Sequence, residues 1–186
     1  MGLADLARLT RAMVSSSPHG SNFHTGSGSD IASIDLRCSL VVGLVGTLGA
    51  GKTRFCQELA VALGASLEDV TSPTFTLHRT YEVDASALAS VAGLKRWHHL
   101  DLYRVVDEDE LWELGIEELW EQSDAWTFME WADRFAELMP HETVWMEISI
   151  PESGPNDTRD IRCYCQDPNW AFWLRSVDTQ MSSSGR

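Results

Sequence analysis

Gly46-Thr47-Leu48-Gly49-Ala50-Gly51-Lys52-Thr53 decides the reading of this chain. The stretch fits G-x-x-x-x-G-K-[ST], a loop pattern whose backbone N–H groups cradle phosphate oxygens. With Gly at about 7% of residues, a chance match in a chain of this length falls below roughly one in a hundred. The flanks have the required order. Ser39-Leu40-Val41-Val42-Gly43-Leu44-Val45 runs into the loop and is apolar enough for a strand buried on both faces. Arg54 to Leu63 follows, with Phe55, Leu59 and Leu63 on one helical face. Gly46, Gly49 and Gly51 permit backbone angles and close approaches that a Cβ would block. The loop amides and the first helical turn then point N–H donors at an anion. In such a loop Lys52 reaches the β- and γ-phosphates and the Thr53 hydroxyl meets Mg²⁺.

Composition narrows the setting. The chain has 186 residues, 44% of them apolar, enough for one globular domain with a real core. No apolar run approaches the roughly 18 residues that a membrane span needs, and the N-terminal stretch has no secretory h-region. The four cysteines, Cys38, Cys56, Cys163 and Cys165, give neither a disulfide framework nor a zinc pattern. Reduced thiols and a cytoplasmic location are therefore expected. The net charge of −14 argues against direct binding of RNA or DNA, which depends on Lys and Arg neutralising phosphates. Proteins and one locally held small anion are the expected partners.

Outward from the loop, Leu3 to Val14 reads as a helix with Leu6, Leu9 or Thr10, and Met13 on the face begun by Leu3. Residues 1–37 form that helix plus a Ser/Gly-rich flexible insertion from Ser15 to Ser33, residues 38–177 a phosphate-loop domain, and residues 178–186 a disordered tail. Cys38 to Val45 is the first strand. Apolar alternation at Phe75, Leu77 and Tyr81 suggests the next, with Ser72 and Thr74 ahead of it placed as a switch-like loop would place hydroxyls. Asp84 to Gly93 is a hairpin or loop, Trp97 to Arg104 a short strand and charged loop, and Asp107 to Glu121 an acidic helix. Ala132 to Met139 reads as a short helix. Val144 to Ile150 and Asp160 to Cys165 read as two late strands. Trp170 to Val177 is apolar with no assignable role. The sum is an α/β fold: a P-loop, doubly wound, mostly parallel sheet with antiparallel strands added late.

Two acids stand where a metal or a water would need them. Ala125-Trp126-Thr127-Phe128-Met129-Glu130 is an apolar strand ending in a carboxylate, the Walker B arrangement. Asp101 ends the stretch before it and is the other candidate, as the acid that polarises water. From the residues alone the two roles stay open between them.

Four blocks in order give a family resemblance: Gly46–Thr53 as G-x-LGAGKT, Ser72-Pro73-Thr74-Phe75 with Leu77 beyond, His99-Leu100-Asp101-Leu102-Tyr103-Arg104, and Glu130-Trp131. Glu110, Leu114 and Gly115 also fit. Together they resemble the bacterial TsaE (YjeE) family of P-loop ATPases, required for threonylcarbamoyladenosine modification of tRNA, over about residues 38 to 166. The resemblance implies that Gly46, Gly49, Ala50, Gly51, Lys52, Thr53 and Arg54 wrap the phosphates of ATP or ADP, and that Thr53 and Glu130 hold Mg²⁺. It makes Lys52, Asp101 and Glu130 the catalytic set, with Asp101 and Thr74 in switch-like segments. Trp131 and Arg159 would approach the nucleotide, with Arg162 as the alternative to Arg159. It also implies TsaB-like and TsaD-like partners, with tRNA met only indirectly through that complex and no membrane. Thr47 departs from the family, which usually carries an acid there.

The expected reaction is Mg²⁺-assisted hydrolysis of ATP, slow without partners, because no arginine finger is evident apart from Arg104 acting in cis. Two other classes stay open. One is a small-molecule P-loop kinase, which would need an arginine-bearing lid. The other is a nucleotide-gated binding module that does not hydrolyse.

Overall fold

A computed structural model describes residues 2–15, 39–83, 94–153, 155 and 157–183. The Ser/Gly-rich insertion (apart from Ser15) and the loop expected over Asp84–Gly93 lie outside the described residues. In chain order the elements are α1 (Leu3–Ser15), β1 (Leu40–Val45), α2 (Lys52–Ala62), β2 (His78–Glu82), β3 (Arg96–Asp101), α3 (Glu108–Glu113), α4 (Ile116–Trp120), β4 (Ala125–Glu130), β5 (Val144–Ser149), β6 (Asp160–Tyr164) and α5 (Pro168–Ser183). Short 3₁₀ turns occupy Leu67–Asp69 and Ala132–Phe135.

The six strands form one sheet in the order β2-β3-β4-β1-β5-β6. The inner pairs β3–β4, β4–β1 and β1–β5 are parallel, and the outer pairs β2–β3 and β5–β6 are antiparallel. This is the expected doubly wound, mostly parallel sheet with one correction. Only β6 is a late addition; the other antiparallel edge, β2, precedes most of the parallel strands.

Strand alternation sends successive side chains to opposite faces, and each face is covered. Leu40, Val42 and Leu44 of β1, with Trp126 and Phe128 of β4, pack against α1, α2 and α5 through Leu9, Met13, Phe55, Leu59, Trp170 and Trp173. Val41, Leu100 and Met129 face the other way, onto Leu111, Ile116, Leu119 and Phe135 of α3, α4 and the 3₁₀ turn. Phe55, Leu59 and Leu63 are all buried, as the periodicity of that helix requires. Among the described residues no helix is long and apolar enough to cross a membrane.

Four expectations are corrected. The chain from residue 178 is helical to Ser183 rather than disordered. Trp170, Trp173 and Val177 are buried on a face that lies along α1, where Arg8 donates to the Met181 carbonyl at 2.8 Å and Ser15 to Gln180 Oε1 at 2.8 Å. Tertiary packing carries the helix where the Ser-rich composition would not. The tryptophans of this end thereby gain a role as core. The strand read from Phe75 starts only at His78, since Phe75 is 87% exposed in a turn. The acidic helix is two helices, because Gly115 takes a left-handed φ of 68° and its N–H returns to Trp112 O at 2.9 Å. Asp107 caps its start by accepting from the Glu110 N–H at 3.0 Å, and Glu110 reaches back past the cap to the Val106 N–H at 2.7 Å. The segment after Ala132 makes one 3₁₀ turn rather than an α-helix to Met139.

At the β2 edge two histidines meet across the strands. His78 Nε2 lies 3.2 Å from His98 Nδ1, Thr80 Oγ1 lies within hydrogen-bond reach of both rings, and His98 Nε2 is 3.1 Å from Gln122 Oε1. Burial, then the neighbouring His98 and His99, pushes His78 down from 6.5 to about 4. Burial lowers His98 as well. A histidine held neutral by folding is protonated first in the unfolded chain, so its contribution is complete above about 6.5 and is lost as the pH falls towards 4. Urea unfolding of the wild type should therefore show stability falling between pH 6.5 and 4, and His78→Asn should flatten that slope relative to the wild type.

Candidate nucleotide site

The glycine loop turns at the carboxyl end of β1, and three of its glycines need their positive φ: 154° at Gly46, 78° at Gly49 and 113° at Gly51. A Cβ on Gly46 would stand 2.3 Å from the Ile148 carbonyl of β5, whereas one on Gly49 or Gly51 would meet nothing within 4 Å. Gly46 thus seats the loop against the sheet, and the other two line open space above it. Lys52 opens α2 and is 4% exposed. Its Nζ donates to the carbonyls of Gly46 at 2.6 Å and Thr47 at 3.1 Å, and it sits 3.6 Å from the centre of the Trp131 ring. Burial pulls this ammonium below its ordinary range, while the charges of Glu130, Asp101 and Asp133 act against the fall.

Parallel register brings the two acids side by side. Asp101 pairs with Glu130 across β3 and β4, and Glu130 pairs with Leu44 of β1, which leads into the loop. Glu130 is 3% exposed and accepts from Thr53 Oγ1 through both oxygens, at 2.8 and 3.0 Å. His99 Nε2 reaches Glu130 Oε1 at 2.8 Å. Asp101, 2% exposed, accepts from Ser72 Oγ at 3.0 Å, from Thr74 Oγ1 and from the Tyr103 N–H at 3.0 Å. Ser72 and Thr74 are themselves 2.7 Å apart. The Ser-Pro-Thr segment is therefore tied to Asp101, and the Lys-Thr pair to Glu130.

Among the described residues two non-glycines take a positive φ, Leu77 and Trp131, each at 62°. Such backbone costs on the order of 1–3 kcal/mol and persists only where its surroundings impose it. Both touch the acids. Leu77 O accepts the Asp101 N–H at 3.0 Å, and Trp131, next after Glu130, donates its own N–H to Leu44 O at 3.0 Å.

The arginines divide. Arg159 Nε donates to Ala50 O at 2.8 Å, which puts its guanidinium on the glycine loop, while Arg162 faces Glu147 at 3.8 Å near the sheet edge. Arg54 pairs with Glu58 one turn on. Arg104 lies over the Phe75 ring at 5.2 Å. Arg134, to which the sequence assigns no role, donates to the carbonyls of both Leu102 and Tyr103 at 2.5 Å and so fixes the loop after Asp101. The sequence also assigns His99 no role. The available signal was strand alternation, which puts His99 on the face shared by Asp101 two residues later.

Hard oxygen donors at Thr53 and Glu130, a lysine at the loop and open space over Gly49 and Gly51 together suit a nucleotide polyphosphate with a divalent cation.

Comparison with known proteins gives the family. A family model described as "Threonylcarbamoyl adenosine biosynthesis protein TsaE" matches residues 23–161. The tRNA threonylcarbamoyladenosine biosynthesis protein TsaE of Treponema pallidum is 33% identical over 114 residues, 61% of this chain and 76% of that one. The Bacillus subtilis protein of the same name is 36% identical over 121 residues, 65% and 66% of the two chains. The Aquifex aeolicus protein is 48% identical over 75 residues, 40% and 50%. In three dimensions the chain is similar to the crystal structure of Bacillus subtilis YdiB, with a TM-score of 0.62 at 20% identity, over 96% of this chain and 90% of that one. That likeness is one of fold.

Removing the His99 imidazole takes a buried partner from Glu130. His99→Ala should lower unfolding free energy by about 1–3 kcal/mol in urea titration, and His99→Gln, which keeps an N–H donor, should recover part of it.

Proposed function

The chain belongs to the TsaE family, and on that premise we propose that it serves tRNA threonylcarbamoyladenosine biosynthesis as a Mg²⁺-dependent ATPase acting on a TsaB–TsaD-like complex. The observation that carries this reading is the Thr53–Glu130 contact. A strand-end carboxylate meets the hydroxyl of the glycine loop within 3.0 Å, with Asp101 in register beside it.

The roles follow from this geometry. Backbone N–H groups of the loop and of the first turn of α2 bind the phosphates, an anion site strengthened by the helix dipole. Lys52 exchanges its bonds to two loop carbonyls for phosphate oxygens, so nothing has to be desolvated afresh when it engages. Thr53 and Glu130 are the residues that would hold Mg²⁺, which when bound neutralises charge on the β- and γ-phosphates. Asp101 is held by two hydroxyls and an amide, and can hand one of those bonds to a water in line with the γ-phosphate. Ser72 and Thr74 then report through Asp101 on what occupies the site. Arg159 steadies the loop from the side of β6. Catalysis here is positioning plus electrostatics, as phosphoryl transfer requires.

Turnover by the chain alone should be slow. Arg104 lies over the Phe75 ring, and Arg134 is committed to backbone carbonyls. Completion of the site falls to a partner. The exposed acids of α3 and α4, among them Glu108, Asp109, Glu113, Glu117 and Glu118, offer that partner a face to meet with basic residues. tRNA is then met only through the complex, in keeping with a net charge of −14.

The test is ATP hydrolysis by the purified chain with and without its cognate TsaB–TsaD-like complex. Strong stimulation is expected. Lys52→Ala should lower kcat/KM by about a hundredfold or more, and Glu130→Gln should keep ATP bound but not turned over. Fast hydrolysis indifferent to the complex would refute the motor role. Phosphate transfer to a metabolite would point to a kinase, and an unchanged Glu130→Gln protein to a nucleotide-gated binder.

A further inference from the structure

We propose that Cys56, His99 and Glu130 form a binding site for a thiophilic divalent cation of the zinc class, and that filling it draws Glu130 away from the glycine loop. The three side chains come from α2, β3 and β4, and one ligand atom of each lies within 4.8 Å of the others. All are buried, Cys56 and His99 at 0% and Glu130 at 3%. Zinc bonds of about 2.3 Å to sulfur and about 2.0–2.2 Å to nitrogen and oxygen set tetrahedral ligand atoms about 3.3–3.7 Å apart. The cluster therefore needs to contract by roughly an ångström at its widest.

The chemistry of the set selects the ion. One sulfur, one imidazole nitrogen and one carboxylate oxygen suit a borderline-soft cation, and a thiolate is a poor ligand for Mg²⁺. A thiolate and a carboxylate against a doubly charged ion leave no net charge, which is what a buried site tolerates. His99 brings an independent sign of unspent capacity: its Nε2 is on Glu130, while its Nδ1 is buried with no hydrogen-bond partner. A water completes the tetrahedron, as three protein ligands and one water do in open zinc sites. In the binding step the Cys56 S–H proton leaves to solvent, a metal–sulfur bond forms, the imidazole binds as a neutral ring, and nothing is oxidised.

The consequence for turnover rests on the ATPase reading above. A Glu130 oxygen taken by this cation is lost to the Thr53 hydroxyl and to Mg²⁺, so occupation brakes Mg²⁺-dependent hydrolysis. No residue outside the three is needed for that coupling.

Co²⁺ is the first probe, titrated into the reduced, metal-free full chain. A 1:1 complex with a sulfur-to-cobalt charge-transfer band and tetrahedral d–d bands is expected, displaced by Zn²⁺, with about one proton released per ion. The bands should vanish in Cys56→Ala and Cys56→Ser, each checked for an unchanged unfolding midpoint, and persist in the Cys163→Ser/Cys165→Ser double variant. Absence of the charge-transfer band in the wild type, or its survival in both Cys56 variants, overturns the site. In a second arm, micromolar Zn²⁺ at fixed Mg²⁺ and ATP should lower wild-type turnover about tenfold or more and spare Cys56→Ala. Equal inhibition of both proteins overturns the brake. A chain with the cobalt spectrum but no hydrolysis even with its partner complex keeps the site and removes the ATPase reading, so the two failures are told apart.

Discussion

A carboxylate at 3% exposure has to be hydrogen-bonded, because stripping its water without replacement costs several kcal/mol. Glu130 meets that demand with Thr53 from the start of α2 and His99 from β3. The need of one side chain thus joins the glycine loop, the first helix after it and two central strands. Asp101 repeats the arrangement one strand over, with Ser72, Thr74 and the Tyr103 amide as its donors. The parallel register of β3 and β4 fixes the two acids as neighbours, so their separation is a property of the sheet and not of any loop.

The same corner holds backbone in a costly conformation. Leu77 and Trp131 hold left-handed backbone beside the two acids. Lys52 is bonded to carbonyls of its own loop and pressed on the Trp131 ring. Burial pulls that ammonium below its ordinary range, and the charges of Glu130, Asp101 and Asp133 oppose the fall. A phosphate is a better partner than a carbonyl, since the hydrogen bond is then between full charges.

How much of this the sequence displayed depended on the range of each signal. The loop glycines were legible because positive φ leaves its mark in the letters, and β1 and β4 because a strand buried on both faces reads as an apolar run. The two acids were found from their place at strand ends. Phe75 fits an alternating apolar pattern that implies an inward side chain, while in space it is 87% exposed. Gly115 was visible, yet only the fold shows that it breaks the acidic helix. The last helix is legible only as an apolar stretch over Trp170–Val177, because its partner α1 lies some 170 residues earlier in the chain. Cys56 and Arg134 carry no local pattern, and alternation gives only the face of His99, not its partner. Their meaning lies in contacts across the sheet, which spacing alone does not encode.

The seating of Gly46 has a mechanical corollary. Its Cα lies so close to the Ile148 carbonyl that no side chain fits between them, and Arg159, just ahead of β6, grips the loop at Ala50 O. β5 and β6 are antiparallel neighbours at one margin of the sheet. The loop and that margin are accordingly a single stiff lever. A push delivered to the outer strand arrives at the loop carbonyls that hold Lys52 with little slack to absorb it, and a tug on Lys52 travels outward by the same route.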